Sequence, residues 1–231
     1  MVQTTALLVL EPIFEADCQP RSYGFRPQRN AQQAVVDVAR AITWGYTQVL
    51  DADLTAYFDS IPHDRLLAAV ARRVADRALL RLLTQWLRAP VVVERADGKR
   101  EVHGGKRTRR GTPQGGVISP LLANLCLHAF DSAWRAGGLE RPWQARLIRY
   151  ADDFVMCCRQ AGEEVRTVVA EQLQALGLTL NGAKTRVLDA RREAFTFLGL
   201  TRCARRAAEG RGSGSPWSVR HPPRVSGSRT G

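Results

Sequence analysis

Aspartates interrupt two apolar segments of the sequence at positions where a buried strand normally carries no charge. Asp51 and Asp53 lie in QVLDADLTAYFD, and Asp152 and Asp153 lie in RYADDFVMCC. An ionised carboxylate that is buried without a partner costs several kcal/mol, so such residues need a compensating cation. Carboxylate oxygens are the ligands that Mg²⁺ prefers, and the two segments together therefore indicate a metal-dependent chemistry.

The spacing of these acids suits a pair of metal ions. Side chains alternate along a strand, so Asp51 and Asp53 point to one face. If their strand lies beside the hairpin that carries Asp152 and Asp153, then Asp53 meets this pair. Two Mg²⁺ ions about 3.5–4 Å apart would balance three carboxylates and drive in-line nucleotidyl transfer. One ion would activate an attacking 3′-oxygen, and the other would neutralise the leaving pyrophosphate.

Each of these acids also has a plainer interpretation, which spacing alone leaves open. An adjacent pair of aspartates is more often the solvated tip of a hairpin. Asp51 can be a simple charge at the end of a strand. Asp59, which precedes SIPHD, is typical of a helix cap or a turn.

The hydrophobic pattern predicts the elements that must position the acids. Helical spacing indicates helices in 1–15, in 30–43 with Asn30 as the N-cap, in 63–90 with a break near Asp76, after the loop that opens 110–134, and in 163–177. Strand-like text occupies 47–58, 91–105 as a hairpin with Asp97-Gly98 at its turn, both sides of 150–153, and 178–181, 185–189 and 194–200. Helices that cover an antiparallel sheet, an α+β fold, are the natural outcome.

The charge balance indicates a polyanionic partner. The formal net charge of the 231 residues is +12, which favours nucleic acid over an acidic membrane surface. After position 200 the sequence holds seven arginines and one glutamate, so half of the excess charge lies there. This Gly, Ser, Pro and Arg-rich tail, 201–231, is predicted to be disordered.

Cysteine usage and hydropathy exclude other classes. The five cysteines (18, 126, 157, 158 and 203) form no C-x-x-C pair, and the four histidines are scattered. A disulfide framework and a structural zinc site are therefore not expected, and a reducing cytoplasm fits. No run of about 18 apolar residues occurs, so no membrane association is expected.

Six segments, taken in order, resemble motifs of the reverse transcriptases that group II introns encode. They are SYGFRPQRNAQQAV (22–35) of the fingers, DADLTAYFDSIPHD (51–64) of the first catalytic motif, RGTPQGGVISPLLANLCLHAFD (110–131) of the nucleotide side, RYADD (149–153) of the catalytic turn, and LGLTLNGAKTRVL (176–188) and FTFLGL (195–200) of the last palm motifs. The resemblance implies a polymerase palm with partial fingers over 1–200. It also assigns FTFLGL to the primer grip.

The resemblance implies a metal centre in this palm. Asp53 and Asp152 would hold two Mg²⁺ ions, with Mn²⁺ as an alternative. Asp153 would lie close by and contribute mainly charge to the catalytic set. Leu54, beside the incoming nucleotide, would supply its backbone carbonyl to a metal.

Five further residues would contact nucleotide or template by the same resemblance. Phe58 would press against the sugar and exclude a ribose 2′-hydroxyl, whereas its plainer role is a core aromatic. Gln114 and Gly115 would lie along the nucleotide and the template strand. Arg26 would contact triphosphate or template, and Lys184 would protonate or neutralise pyrophosphate, although either could be an ordinary surface charge.

The function implied is RNA-directed DNA polymerisation for a mobile group II intron. Its partners would be an RNA template, a DNA primer, dNTPs and intron RNA. By the resemblance, additional fingers segments and a helical thumb are expected of family members and are not recognisable in these 231 residues, so we expect weak or no synthesis by the isolated chain. Two alternatives stay open: a retron, diversity-generating or phage-defence reverse transcriptase, and an RNA-binding splicing remnant without catalysis.

Overall fold

The computed structural model describes residues 1–94, 100–113, 115–160 and 162–202. Three expectations fall outside these ranges. They are the Asp97-Gly98 turn, the placement of Gln114 and the disorder of most of the tail.

Eight helices occur in the described ranges, and two of them begin at side-chain caps that the sequence signals. Asn30 caps the second helix by accepting from Gln33 N (2.9 Å), and Gln33 returns the bond to complete a capping box. Asp76 caps the fifth helix, which confirms the predicted break. The helices are α1 (Val2–Glu15), α2 (Ala31–Thr43), α3 (Tyr57–Ser60), α4 (His63–Ala71), α5 (Arg77–Leu87), α6 (Ser119–Ala136), α7 (Glu140–Trp143) and α8 (Glu163–Ala175).

The strands of the described ranges form one main sheet and two short hairpins. The main sheet has the order β4-β5-β1-β6, and every neighbouring pair in it is antiparallel. The hairpins are β2-β3 and β7-β8. The strands are β1 (Gln48–Ala52), β2 (Val91–Glu94), β3 (Arg100–His103), β4 (Arg146–Tyr150), β5 (Asp153–Cys158), β6 (Arg186–Asp189), β7 (Phe195–Phe197) and β8 (Leu200–Arg202).

Both faces of the main sheet are covered, which explains the nearly continuous apolar text of its central strands. Leu50 and Met156 belong to a core cluster shared with α1, α4, α5, α6 and α8. Val49 and Val155 belong to a second cluster shared with α2, β6 and β7. Successive residues of β1 and β5 thus enter opposite cores, as the pleat requires.

The predicted α+β class is confirmed, one predicted strand is wrong, and one of the two plainer roles considered for Asp59 is not seen. The segment 178–181 forms no strand of its own, since only Leu180 pairs there, in an isolated bridge with Leu54. Asp59 does not cap a helix: it lies inside α3, and neither α3 nor α4 begins with a side-chain cap.

Across the described ranges, no helix combines the length and the apolar character needed to cross a membrane.

Candidate active site

The hairpin of β4 and β5 carries two of the predicted catalytic acids at its tip. Tyr150 pairs with Asp153, which leaves Ala151 and Asp152 as a two-residue turn. Ala151 has a φ of 56°, the left-handed backbone that such tight turns demand. Asp152 is half-buried and Asp153 is exposed. The hairpin therefore presents both carboxylates at one end of the sheet.

Strand β1 brings the third acid to the same end. Ala52 lies opposite Phe154 in the β1–β5 register. Extending that register by one residue places Asp53 opposite Asp153. Because both residues follow the parity of Val49 and Val155, they face the side of the sheet that α2 covers. The register therefore places Asp53 at the same end of the sheet as the 150–153 turn.

The pKa values of Asp153 and Asp51 reflect the same crowding of carboxylates. Partial desolvation raises the pKa of Asp153, and the charges of Asp152, Asp53 and Asp51 raise it further, while Lys184 opposes them. Desolvation also raises the pKa of Asp51, although the guanidinium of Arg186 lies 3.3 Å from its carboxylate. The site is therefore a concentration of negative charge at the sheet end.

The loop before β6 closes over Asp53. Oδ2 of Asp53 accepts a hydrogen bond from Asn181 Nδ2 (3.1 Å) and lies 3.4 Å from Lys184 Nζ. The Asp53 backbone N–H donates to Thr185 Oγ1 (3.3 Å), and its carbonyl accepts from Asn181 N (2.8 Å). Lys184 thus lies at the predicted metal ligand, with most of its side chain exposed.

The donor set suits hard divalent cations. Among the described residues, no three His, Cys, Asp or Glu side chains are gathered closely enough to bind a metal as they stand. However, the charges of the neighbouring carboxylates raise the pKa of Asp153, and a divalent ion stabilises carboxylates that are crowded in this way. The cation now at Asp53 is the Lys184 ammonium, so a metal there would compete with it.

A buried polar network holds the turn from behind. Arg149, on β4, is 2% exposed, and its Nε and Nη2 donate to the carboxylate of Asp131 at 3.0 and 2.6 Å. Its Nη1 donates to Asn124 Oδ1 (3.0 Å) and to the carbonyl of Ala151 (2.8 Å). Sequence reasoning missed this role, although an arginine inside the apolar text RLIRY was a usable signal.

A glycine lets the segment after α1 pack directly on the turn. Asn124 Nδ2 donates to the carbonyl of Gly24 (2.6 Å), and Tyr23 N donates to that of Arg149 (2.8 Å). A Cβ at Gly24 would lie 2.2 Å from Ala151 N, which no side chain tolerates. This segment therefore fixes the turn through backbone contact.

The residues predicted at the nucleotide side are only partly gathered. Phe58 is half-buried, with its ring edge-on to Tyr57 (5.6 Å) and Phe25 (6.5 Å). Gly115 is exposed with a φ of 81°, and a Cβ there would meet nothing within 4 Å, so backbone conformation favours glycine. Leu54 is buried against the core. Their contacts with nucleotide, and the Leu54 carbonyl as a ligand, stay predictions.

Arg26 makes protein contacts in this structure. Its guanidinium binds Glu15 through Nε (2.9 Å) and Nη2 (2.6 Å), and Nη1 donates to the carbonyls of Gln19 and Ser22. Its side chain is only 6% exposed. Contact with triphosphate or template stays a prediction, and it would require these bonds to be exchanged.

The expected primer grip forms the β7-β8 hairpin. Phe195 and Phe197 are buried in the core on the α2 side, while Thr196 alternates to the exposed side. Contact with a primer stays a prediction for this hairpin.

Residues 1–202 match the family model described as reverse transcriptase (RNA-dependent DNA polymerase). The chain belongs to this family. It is 33% identical over 234 residues to Protein YkfC of Escherichia coli, across 86% of this chain and 59% of that protein. It is also 33% identical over 131 residues to the group II intron-encoded protein LtrA of Lactococcus lactis, across 57% of this chain and 20% of that protein. The resemblance to group II intron-encoded proteins is thus confirmed.

Solved structures agree on the fold. Telomerase from Candida tropicalis, in complex with a fragment of telomeric RNA, superposes with a TM-score of 0.65 at 13% identity, covering 87% of this chain and 36% of that one. At this identity the likeness concerns the fold alone. The chain spans about three fifths of the first curated relative and a smaller share of LtrA, so these proteins contain segments beyond the matched region.

Proposed function

We propose that this chain carries the catalytic palm of an RNA-directed DNA polymerase of a mobile group II intron. The proposed reaction is transfer of a deoxynucleotide from a dNTP to a primer 3′-hydroxyl on an RNA template. The observation that carries the proposal is the β1–β5 register, which extends to set Asp53 opposite Asp153 and beside the Asp152 turn.

The proposed roles divide the acids by position. Asp53 and Asp152, with the Leu54 carbonyl, would hold two Mg²⁺ or Mn²⁺ ions, and Asp153 would add negative charge. When bound, the ions supply Lewis acidity at the attacking oxygen and the leaving pyrophosphate.

Two other side chains would act on substrate in this proposal. Lys184 lies 3.4 Å from Asp53, from where an ammonium group can neutralise or protonate the pyrophosphate. Phe58 would contact the sugar of the incoming nucleotide and exclude a 2′-hydroxyl. Intron RNA as a partner and a cytoplasmic location, which rests on the cysteine pattern, are parts of the same proposal.

Primer extension on poly(rA)/oligo(dT) with dTTP and Mg²⁺ tests the reaction. We expect weak incorporation that chelation abolishes and that is lost in Asp53→Asn and Asp152→Asn. Asp189→Asn is the matched control, because Asp189 lies on the neighbouring strand β6 and pairs with Arg191. Incorporation that survives in Asp152→Asn, or that needs no divalent ion, contradicts the proposal.

A further inference from the structure

One charged cavity is lined by none of the predicted catalytic carboxylates. It has a volume of about 440 Å³ and is formed by the start of α4, the end of α5, the segment before Gly111 and the end of α8. Four arginines line it, and we call it the arginine pocket: Arg65, Arg88, Arg109 and Arg110. None of the predicted metal ligands lies on these elements.

Three of these arginines have no acidic partner among the described residues and line the same cavity. Elsewhere in the described part of the chain, some exposed arginines pair with acids, as Arg73 does with Asp17 (3.3 Å), and others do not. Within the described ranges, Arg65, Arg88 and Arg109 have neither an ion pair nor a side-chain hydrogen bond, and the cavity brings them together. One aspartate, Asp64, lines the same cavity. The pocket therefore holds a positive potential that the described part of the protein leaves largely uncompensated.

The fourth arginine of the pocket is already oriented. Nη1 of Arg110 donates to the carbonyls of Ser60 (3.2 Å) and Gly177 (3.0 Å). These bonds use one edge of the planar guanidinium and leave its other donors for a ligand. A fixed fork loses less freedom on binding a phosphate than a mobile one does.

Helix α4 adds backbone donors to the same cavity. His63 N donates to the carbonyl of Arg109 (2.9 Å), whereas the N–H groups of Asp64 and Arg65 have no partner among the described residues. The His63 ring is 3% exposed, its Nε2 contacts the Gly111 carbonyl (2.7 Å), and its Nδ1 has no partner in the described part of the chain. Free N–H groups at a helix start favour an anion.

We propose that the arginine pocket binds phosphate groups of the RNA backbone. The inference rests on the proposed function, since it names a second contact for the RNA that the palm would copy or bind. Arginine forks match phosphate oxygens in geometry, and neutralising phosphates releases counterions, so binding here is salt-dependent. The pocket adds affinity without reading base sequence.

Fluorescence anisotropy of a labelled single-stranded RNA, titrated with the full chain at several salt concentrations, tests the pocket. We expect Arg65→Ala/Arg88→Ala/Arg109→Ala to weaken binding by about tenfold or more and to flatten the salt dependence. The matched control is the triple alanine variant of Arg72, Arg77 and Arg81, which are exposed and unpaired in the described ranges but lie outside the pocket. The arginine-rich tail is present in every variant and cancels from the comparison.

The outcomes distinguish an RNA-phosphate pocket from general charge attraction and from a nucleotide site. Equal losses in the two triple variants mean general charge attraction and overturn the proposal. Unchanged RNA affinity with a raised KM for dTTP assigns the pocket to nucleotide phosphates instead, and also overturns it. Single substitutions of Arg65 and Arg88, with thermal unfolding as a check, give the same test if the triple variant does not fold.

The experiment also distinguishes this inference from the proposed function. A wild-type chain that extends primers, combined with a pocket variant that binds RNA normally, removes the pocket and leaves the polymerase. A chain that extends no primer, combined with a pocket variant that selectively loses RNA affinity, removes the polymerase and leaves an RNA-binding pocket.

Discussion

The two sides of the 150–153 turn differ in how their charges are compensated. Behind the turn, each nitrogen of the buried Arg149 guanidinium donates to Asp131, Asn124 or the turn itself. In front, Asp152 and Asp153 have no ion pair in the described ranges, and Lys184 reaches only Asp53. The buried Arg149 network behind the turn fixes the shape of the turn. The turn can therefore carry the charges of Asp152 and Asp153 on its other side, where a cation must balance them. The predictions below separate these two tasks.

Removal of one member of the buried Arg149–Asp131 ion pair is expected to cause the largest loss of stability. Arg149→Ala leaves the buried Asp131 carboxylate without its cation, and such a loss costs about 3–5 kcal/mol. Chemical denaturation measures it as a lower free energy of unfolding. The double variant Arg149→Met/Asp131→Leu is the control, because replacing both charges with apolar groups should cost less than removing one. A loss in Arg149→Ala below about 1 kcal/mol, typical of an exposed pair, would show that the network is not structural.

Crowding of the turn backbone by a new side chain at position 24 is expected to cause the second-largest loss of stability. Gly24→Ala places a Cβ 2.2 Å from Ala151 N, so the segment or the turn must shift. We expect a destabilisation of about 1–3 kcal/mol, together with loss of whatever Mg²⁺-dependent incorporation the wild type shows. Gly182→Ala is the matched control, because its nearest contact is an Arg166 side-chain nitrogen at 3.5 Å. Equal stability of the two variants would contradict the close packing.

Substitution of Asp153, in front of the turn, is expected to raise the stability of the fold rather than lower it. The pKa of Asp153 is raised, so the folded chain disfavours its ionised form. Its contribution to stability is present below the ordinary value of 3.8 and is lost as the pH rises through the raised pKa. Asp153→Asn should therefore raise Tm at neutral pH by a small amount, and this gain should vanish in acid.

Measuring the Tm of the wild type and of Asp153→Asn with and without Mg²⁺ tests the same charge repulsion further. Mg²⁺ should stabilise the wild type more than Asp153→Asn, because it relieves the repulsion that the substitution already removes. A lower Tm of Asp153→Asn at neutral pH without metal would show that the front is not strained by charge.

The exposed cation at the front is expected to have the smallest effect. Lys184 is 69% exposed beside Asp53, and surface pairs of this kind contribute about 0–1 kcal/mol. Lys184→Ala should leave unfolding nearly unchanged while tightening Mn²⁺ binding, measured by calorimetry, since a competitor for Asp53 is gone. A large loss of stability would place Lys184 with the structural network.

Local sequence signals predicted most of the helices and strands. Helical spacing in 163–177, the Asn30 cap and the Asp76 break depend on residues within a few positions of one another, and local physics determines them. The strand predicted at 178–181 is wrong because that segment pairs with distant chain only through the Leu54–Leu180 bridge. Of the two plainer roles considered for Asp59, the helix cap is not seen, because the residue lies inside α3.

For the candidate site, too, local sequence and tertiary structure determined different features. The ordered motifs indicated the reverse transcriptase family, and that resemblance assigned a metal site to Asp53, Asp152 and Asp153, which stays a prediction. Only the tertiary structure decided that β1 lies between β5 and β6, which sets Asp53 opposite the turn and beside Lys184. The contact between Asp53 and Lys184 joins residues 131 positions apart, and packing of the whole sheet selects it, so no local pattern records it.

The arginines show most clearly what the sequence alone cannot determine. Composition determined that the chain carries a net charge of +12 and favours a polyanion. Only the fold decided that Arg26 and Arg149 are buried in ion pairs, whereas Arg65, Arg88 and Arg109 line a cavity without such partners in the described ranges. The physical reason is that a charge acquires its role from burial and from neighbours brought close by folding, and neither is a property of the residue type.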